Sequence, residues 1–356
     1  MKSHGGNPWA LLERGAEVAD FSADLNPYGP PPGLETVLWE AADRITLYPE
    51  PTYRDLRETL SGLEQVAAEC ILPGNGTADL IHLISRRFKA KRALVIAPTF
   101  TEYERAVAAD GGVAAPCLLR EERGFSAGSL EDPEPLLRDT QFLYLCNPNN
   151  PTGTLWPEAL LRRWLEACNR SGVTAVVDEA YLDFVEPSLR CSAVRWVEEF
   201  SNLIVLRSMT KIFAVPGLRI GYAVASPPLA ESLGQAQPPW SVNSLAVRIG
   251  TWLAGQGAYR EECRQSLERA KRQLETGLLA LPGLKPYPSE ANFFLCRLAG
   301  PAGPVVEQLA DRGILVRRCD DFTGLERDRF IRVAVRTPEE NEKLLRALEE
   351  VLPHGG

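Results

Sequence analysis

The chain has 356 residues, 45% of them hydrophobic, which is enough for a sizeable core and for two domains rather than one. A formal net charge of -8 and a pI near 5.2 argue against a broad electrostatic surface for nucleic acid or anionic membrane, so small molecules are the expected partners. No apolar stretch approaches the roughly 20 residues needed to span a bilayer, and MKSHGGNPWA lacks the apolar centre of a signal peptide, which makes the cytoplasm the expected compartment.

The first 35 residues, rich in Pro and Gly, read as an extended arm. From about residue 70 to 225, strand-length apolar runs alternate with helix-period segments, the pattern of an α/β unit with a mostly parallel sheet covered by helices. The runs are ALVIA (93–97), FLYLC (142–146), VTAVV (173–177), LIVL (203–206) and RIGYAVA (219–225), each too continuous for a sheet with one wet face. TEYERAVAAD fits a helix between them. So does PEALLRRWLEACNR, with Pro157 in its first turn and an apolar stripe at Leu160, Leu161, Trp164 and Leu165. ASPPLAESLGQAQPPW breaks this regime and precedes a long helical region that leads into a smaller α+β unit. That unit carries the strand NFFLCRL, a helix near 303–312, the strands ILVR and FIRVAV, and a last helix from Pro338 to about Leu352. The expected division is an arm over 1–35, a large domain over 36–235 and a small domain over 236–356. The eight cysteines have no metal-ligand spacing and read as reduced, mostly buried thiols.

Four motifs fall at strand ends of the parallel sheet, where open α/β sheets place their ligands. GNGTADLI (74–81) is a common kind of Gly-rich turn. Its functional reading is a phosphate cradle made by the N–H groups of Asn75, Gly76 and Thr77 at a helix N-terminus. NPNNPTG (147–153) follows FLYLC and reads either as a tight turn alone or as part of a site. In VVDEAYLDF (176–184), Asp178 ends a buried strand. A carboxylate there is expensive unless paired, and a protonated pyridine nitrogen is a suitable partner; a surface-loop carboxylate is the plain alternative. RSMTKIFAVPGLRIGY (207–222) is the most specific segment. It groups Ser208, Thr210 and Arg219, suited to a phosphate, around Lys211, which can form an imine with an aldehyde.

This set of motifs resembles the fold-type I pyridoxal-5′-phosphate (PLP) enzymes of the aspartate aminotransferase superfamily, over nearly the whole chain. Within it, the sequence is similar to the histidinol-phosphate aminotransferases and more so to the threonine-phosphate decarboxylases of cobalamin synthesis. HGGN (4–7) with DFSADLNPYGPP (20–31), PPWSVNSLA (238–246) and ILVRRCDDFTGLERDRFIRVAVRTPEEN (314–341) carry the closer match. The resemblance implies a PLP-dependent transferase fold, with a large, seven-stranded type of sheet and a smaller C-terminal domain. It makes Lys211 the Schiff-base lysine and proton shuttle and pairs Asp178 with the ring nitrogen. Asn150 and Tyr181 bond the phenolic oxygen, and Tyr103 stacks on the ring. Ser208, Thr210, Arg219 and the turn Asn75–Thr77 hold the phosphate. Tyr48 reaches the cofactor phosphate of a second copy, which implies a homodimer. Arg332 clamps the substrate α-carboxylate, for which its planar fork is suited. His4, Arg317 and Arg336 are the cations nominated for a substrate phosphate, with Arg318 as an alternative to Arg317. The implied reaction is decarboxylation of O-phospho-L-threonine to (R)-1-aminopropan-2-yl phosphate and CO2. Transamination of the histidinol-phosphate type is the alternative, and a PLP-fold sensor without turnover a third reading with little in its favour.

Overall fold

A computed structural model describes residues 5–352 apart from 14, 16, 90 and 131. The chain opens with α1 (Trp9–Leu12), β1 (Ala19–Asp20), α2 (Leu34–Ala41) and α3 (Arg54–Glu64). Strands and helices then alternate: β2 (Ile71–Gly74), α4 (Thr77–Phe88), β3 (Arg92–Ala97), α5 (Glu102–Ala109), β4 (Val113–Leu118), α6 (Pro133–Leu137), β5 (Phe142–Cys146), α7 (Glu158–Ser171), β6 (Thr174–Asp178), β7 (Leu203–Ser208) and β8 (Gly221–Ala225). The order β2-β8-β7-β6-β5-β3-β4 makes one seven-stranded sheet. It is parallel from β7 to β4, while β8 runs antiparallel to both β7 and β2. Both faces are covered, so every residue of β5, β7 and β8 is buried, which explains the unbroken apolar runs.

Three helices follow: α8 (Pro227–Gly234), which falls inside the Pro-rich break, α9 (Ser244–Ala254) and α10 (Gly257–Ala280). The remaining elements are β9 (Leu284–Pro286), β10 (Phe293–Leu298), α11 (Ala302–Asp311), β11 (Ile314–Leu315), β12 (Arg317–Arg318), β13 (Phe330–Ala334) and α12 (Pro338–Val351). A four-stranded antiparallel sheet has the order β12-β13-β10-β9. α12 starts with a full capping box, Thr337 accepting from the Glu340 N–H and Glu340 accepting from the Thr337 N–H, with Pro338 in the first turn. Seven of the eight cysteines are buried.

The arm is more ordered than its composition suggests. β1 pairs in parallel with β11, and the Ala334 N–H donates to Phe21 O at 2.9 Å, so residues 19–21 lie along the small sheet. A few residues later the Asn26 N–H donates to Lys211 O at 3.0 Å and its side chain donates to Ile212 O at 3.0 Å. The segment from 19 to 26 therefore ties the small sheet to the loop after β7. ILVR also departs from a single strand: Leu315 pairs with Asp20, whereas Arg317 pairs with Arg332, so the chain passes between two sheets at Val316.

Candidate active site

Strand register gathers the polar ends of the large sheet. Cys146 pairs with Asp178, Asp178 pairs with Leu206, and Gly221 pairs with both Ser208 and Gly74. The loop after β7 thereby meets the start of α4. A cavity of about 210 Å³ opens there, lined among others by Gly76, Thr77, Tyr103, Asn150, Asp178, Tyr181, Ser208, Thr210, Lys211, Arg219, Arg317 and Arg332.

At one end the wall is built for an anion. α4 has no side-chain cap, so its first N–H groups and its dipole face the cavity at Thr77 and Ala78. The N–H groups of Asn75 and Gly76 have other acceptors, Asp79 Oδ2 at 3.2 Å and Gly74 O at 2.8 Å, and the Asn75 side chain is exposed. Ser208 Oγ and Thr210 Oγ1 stand 3.0 Å apart. Arg219 lies over Gly76 so closely that a β-carbon there would be 2.4 Å from its Nη2. Hydroxyls, a guanidinium and a helix N-terminus together form a donor set for a phosphate monoester.

Deeper in the cavity, Asp178 is buried and accepts from Tyr103 Oη at 2.8 Å and from the Ala180 N–H at 3.0 Å. Burial pushes this carboxyl up; Tyr103, the Ala180 N–H and the Lys211 charge pull partly the other way. The Tyr103 ring stacks on Tyr144 at 5.2 Å between centroids. Lys211 Nζ donates to Asp24 Oδ1 at 2.9 Å and stands 5.7 Å from the Tyr181 ring centroid. The loop NPNNPTG is knit by its own asparagines: Asn149 bonds Pro98, Thr99 and Thr152, and Asn147 accepts from the Trp156 N–H. That rigidity holds Asn150, whose Oδ1 accepts from Arg332 Nη1 at 2.6 Å.

The opposite wall comes from the small sheet. Arg332 and Arg317 are direct cross-strand partners on β13 and β12 and both are buried. Like charges placed so repel unless anions answer them. Arg317 has Asp321, at 2.6 and 2.8 Å, whereas Arg332 has Asp24 at 3.4 Å and donates to Ser22 O at 3.0 Å. Among the described residues, Arg332 Nε is buried without a hydrogen-bond partner. Arg318 turns away to Asp320 and Asp328, so of the two adjacent arginines Arg317 faces the cavity.

Not every expected residue joins this group. Arg336 donates to Asp20 O at 3.1 Å and pairs with Glu340 at 2.8 Å, off the cavity wall. Tyr48 is 78% exposed and stacks on Trp240 at 4.4 Å, beside a separate cavity. His4 lies outside the described residues. Asp24, which was not singled out in the sequence, sits at the centre: buried, it accepts from Lys211 and from Tyr181 Oη and pairs with Arg332. Burial alone would push its carboxyl up, but Arg332, Lys211 and the Tyr181 hydrogen bond hold it far below the usual carboxylate range. Its only sequence cue is an acidic residue within an arm of Pro, Gly and Asn.

Fold and cavity together define an α/β enzyme with an anion-binding sheet edge and a lysine facing a buried carboxylate, and the chain belongs to the aminotransferase class I and II family, whose model matches residues 17–348. It is similar to the threonine-phosphate decarboxylase of Salmonella typhimurium, at 35% identity over 98% of this chain and 96% of that protein. The histidinol-phosphate aminotransferase of Moorella thermoacetica is 34% identical over 98% of this chain and 89% of its own length. In solved structures, the L-threonine-O-3-phosphate decarboxylase of Porphyromonas gingivalis superposes with a TM-score of 0.83 at 28% identity, covering 93% of this chain and 98% of that one.

Proposed function

We propose that this protein is a PLP-dependent decarboxylase of O-phospho-L-threonine, releasing CO2 and forming (R)-1-aminopropan-2-yl phosphate. The observation that carries the reading is the buried Arg332 lining the same cavity as Lys211 and the phosphate-type donor set: a fork for a carboxylate beside an amine that can form an imine. The similarity to threonine-phosphate decarboxylases along the full chain supports it.

The residues present fit PLP. Thr77, Ser208, Thr210 and Arg219 would hold its phosphate, Asp178 its ring nitrogen, Asn150 and Tyr181 its phenolic oxygen, Tyr103 its ring face and Lys211 its aldehyde carbon. The Arg219 guanidinium, which packs over Gly76 only because that residue has no β-carbon, and the buried Asp178 carboxylate lining the cavity are what the group requires. When bound, PLP supplies a sink for the electron pair left on Cα. Asp178 keeps a proton on the partner it faces, because a buried carboxylate is best satisfied by a cation. Arg332, held by Asn150 and Ser22 O, orients the substrate carboxylate, and that orientation selects the bond that breaks. Lys211 Nζ is placed to return a proton to Cα.

A second reading, transamination of histidinol phosphate, is favoured by the comparable identity to histidinol-phosphate aminotransferases. The two are separated by incubating purified protein with PLP and each substrate. Catalytic CO2 release from O-phospho-L-threonine, abolished by Lys211→Ala, supports decarboxylation; glutamate formed from histidinol phosphate and 2-oxoglutarate, without CO2, overturns it.

The same reading takes the protein as a cytoplasmic homodimer in which Tyr48 reaches the cavity of a second copy, and as an arm over 1–35 with domains over 36–235 and 236–356. Supporting these are the exposed Tyr48, the sheets in separate parts of the sequence, and the finding that among the described residues no helix is long and apolar enough to cross a membrane.

A further inference from the structure

A cavity that binds a carboxylate already contains one. Asp24 touches Lys211, Tyr181 and Arg332, and it is delivered by the arm, whose register on β11 and whose Asn26 contacts fix it between the two sheets. Arg317 spends its charge on Asp321, so among the described residues Arg332 is the cation left to share between Asp24 and any ligand carboxylate, and its buried Nε has no partner among them. A ligand carboxylate drawn to that fork arrives beside a buried anion.

We propose that Asp24 is a specificity-determining residue that opposes a bound carboxylate and so favours its loss. The inference rests on the decarboxylase reading. In that reaction the Cα–carboxylate bond breaks, its electron pair stays on the Cα side and is drawn into the bound cofactor, CO2 leaves uncharged, and Cα regains a proton. Asp24 gains and loses nothing. It stands next to a negative charge before the step and next to a neutral molecule after it, so the repulsion raises the bound substrate more than the transition state. Its carboxyl is held ionised by Arg332 and Lys211 against the effect of burial, which keeps the anion in place across the working pH range.

The test uses the cofactor-loaded protein with Asp24→Asn, the smaller neutral Asp24→Ser, and the charge-keeping Asp24→Glu. Calorimetry measures affinity for 3-phosphooxybutanoate, which carries carboxylate and phosphate but no amine and therefore does not react, and for isopropyl phosphate, which lacks the carboxylate. The neutral variants are expected to bind the first about tenfold more tightly relative to the second, and Asp24→Glu to keep the native ratio. With O-phospho-L-threonine, KM and kcat should fall together in the neutral variants, as when ground-state strain is removed. An unchanged or reversed ligand ratio, or a fall in kcat with KM constant or raised, overturns the proposal and leaves Asp24 as a support for Lys211 and Arg332. A wild-type protein that releases no CO2 defeats the decarboxylase reading instead, and the ligand ratio then decides alone whether Asp24 selects against carboxylates.

Discussion

Gly76 has φ of +84°, and the space its missing β-carbon leaves is taken by the Arg219 guanidinium. Replacing it by alanine strains the turn and pushes that guanidinium off the α4 N-terminus at once. Gly76→Ala is therefore expected to weaken PLP binding by about tenfold or more, read by titrating the cofactor into apoprotein, because a charge-assisted contact to the phosphate is lost. That Gly76, Asp178 and Lys211 line one cavity was legible in the sequence, because each sits in a short motif beside a strand end, where local residue order dictates geometry. Asp24 was not, since it meets Lys211 187 positions away only through the docking of a two-residue strand. The division of labour between Arg317 and Arg318 was likewise open until the β12–β13 register put Arg317 opposite Arg332 and Arg318 opposite Ile331.

Among the elements, those with strong periodicity were read correctly: β5 matches FLYLC residue for residue, and α7 and α12 fall within a residue or so of their expected ends. β4 escaped notice for a physical reason. It is an edge strand with Pro116 in it and all six residues wholly or partly exposed, so it lacks the apolar run of a buried strand. β1 is too short to show any period, and its place is fixed by backbone approach. Gly313, at φ +74°, brings its Cα so near Glu17 O that a β-carbon would stand 2.4 Å from that oxygen. Gly313→Ala should detach β1 from β11, cost about 2 kcal/mol of stability in urea unfolding, and lower activity by displacing Asp24 and Ser22. On the face of β7 away from the cavity, Arg207 pairs with Glu64 of α3 at 3.2 Å and with Glu179 and Asp183 at 3.4 Å each. Burial, with repulsion from the Glu64 charge added, pushes Glu179 up to about 7 despite the Arg207 charge and its bonds from Ser192 and the Ala193 N–H. A carboxyl raised in the fold favours the native state below its ordinary value and loses that contribution as pH rises through about 7. The wild-type free energy of urea unfolding should accordingly drop between pH 5 and 8 by more than that of Glu179→Gln, the difference being on the order of 3 kcal/mol or less.

At the scale of the whole molecule, the cavity takes one wall from each sheet and its central anion from the arm, yet one expected residue, Tyr48, points away from it. Around Tyr48 lies a surface that a lone chain has no reason to keep: Trp39 is 81% exposed, and Leu38, Ile45, Leu47 and Trp240 are exposed close by in sequence or stacked against it. Large apolar side chains clustered on a soluble surface mark a contact with another protein. In the homodimer proposed above, a second copy would cover this surface and place Tyr48 at the other copy's phosphate site. Sedimentation should then give a particle of twice 39.2 kDa for the wild type. Trp39→Asp with Leu47→Asp, which buries charge in the contact, should shift it to the single-chain mass and weaken PLP binding in parallel. Tyr48→Phe separates the two roles: the dimer should persist while cofactor affinity drops about fivefold through one lost hydrogen bond. A protein that sediments as a single chain with full PLP affinity would leave the exposed surface to some other partner.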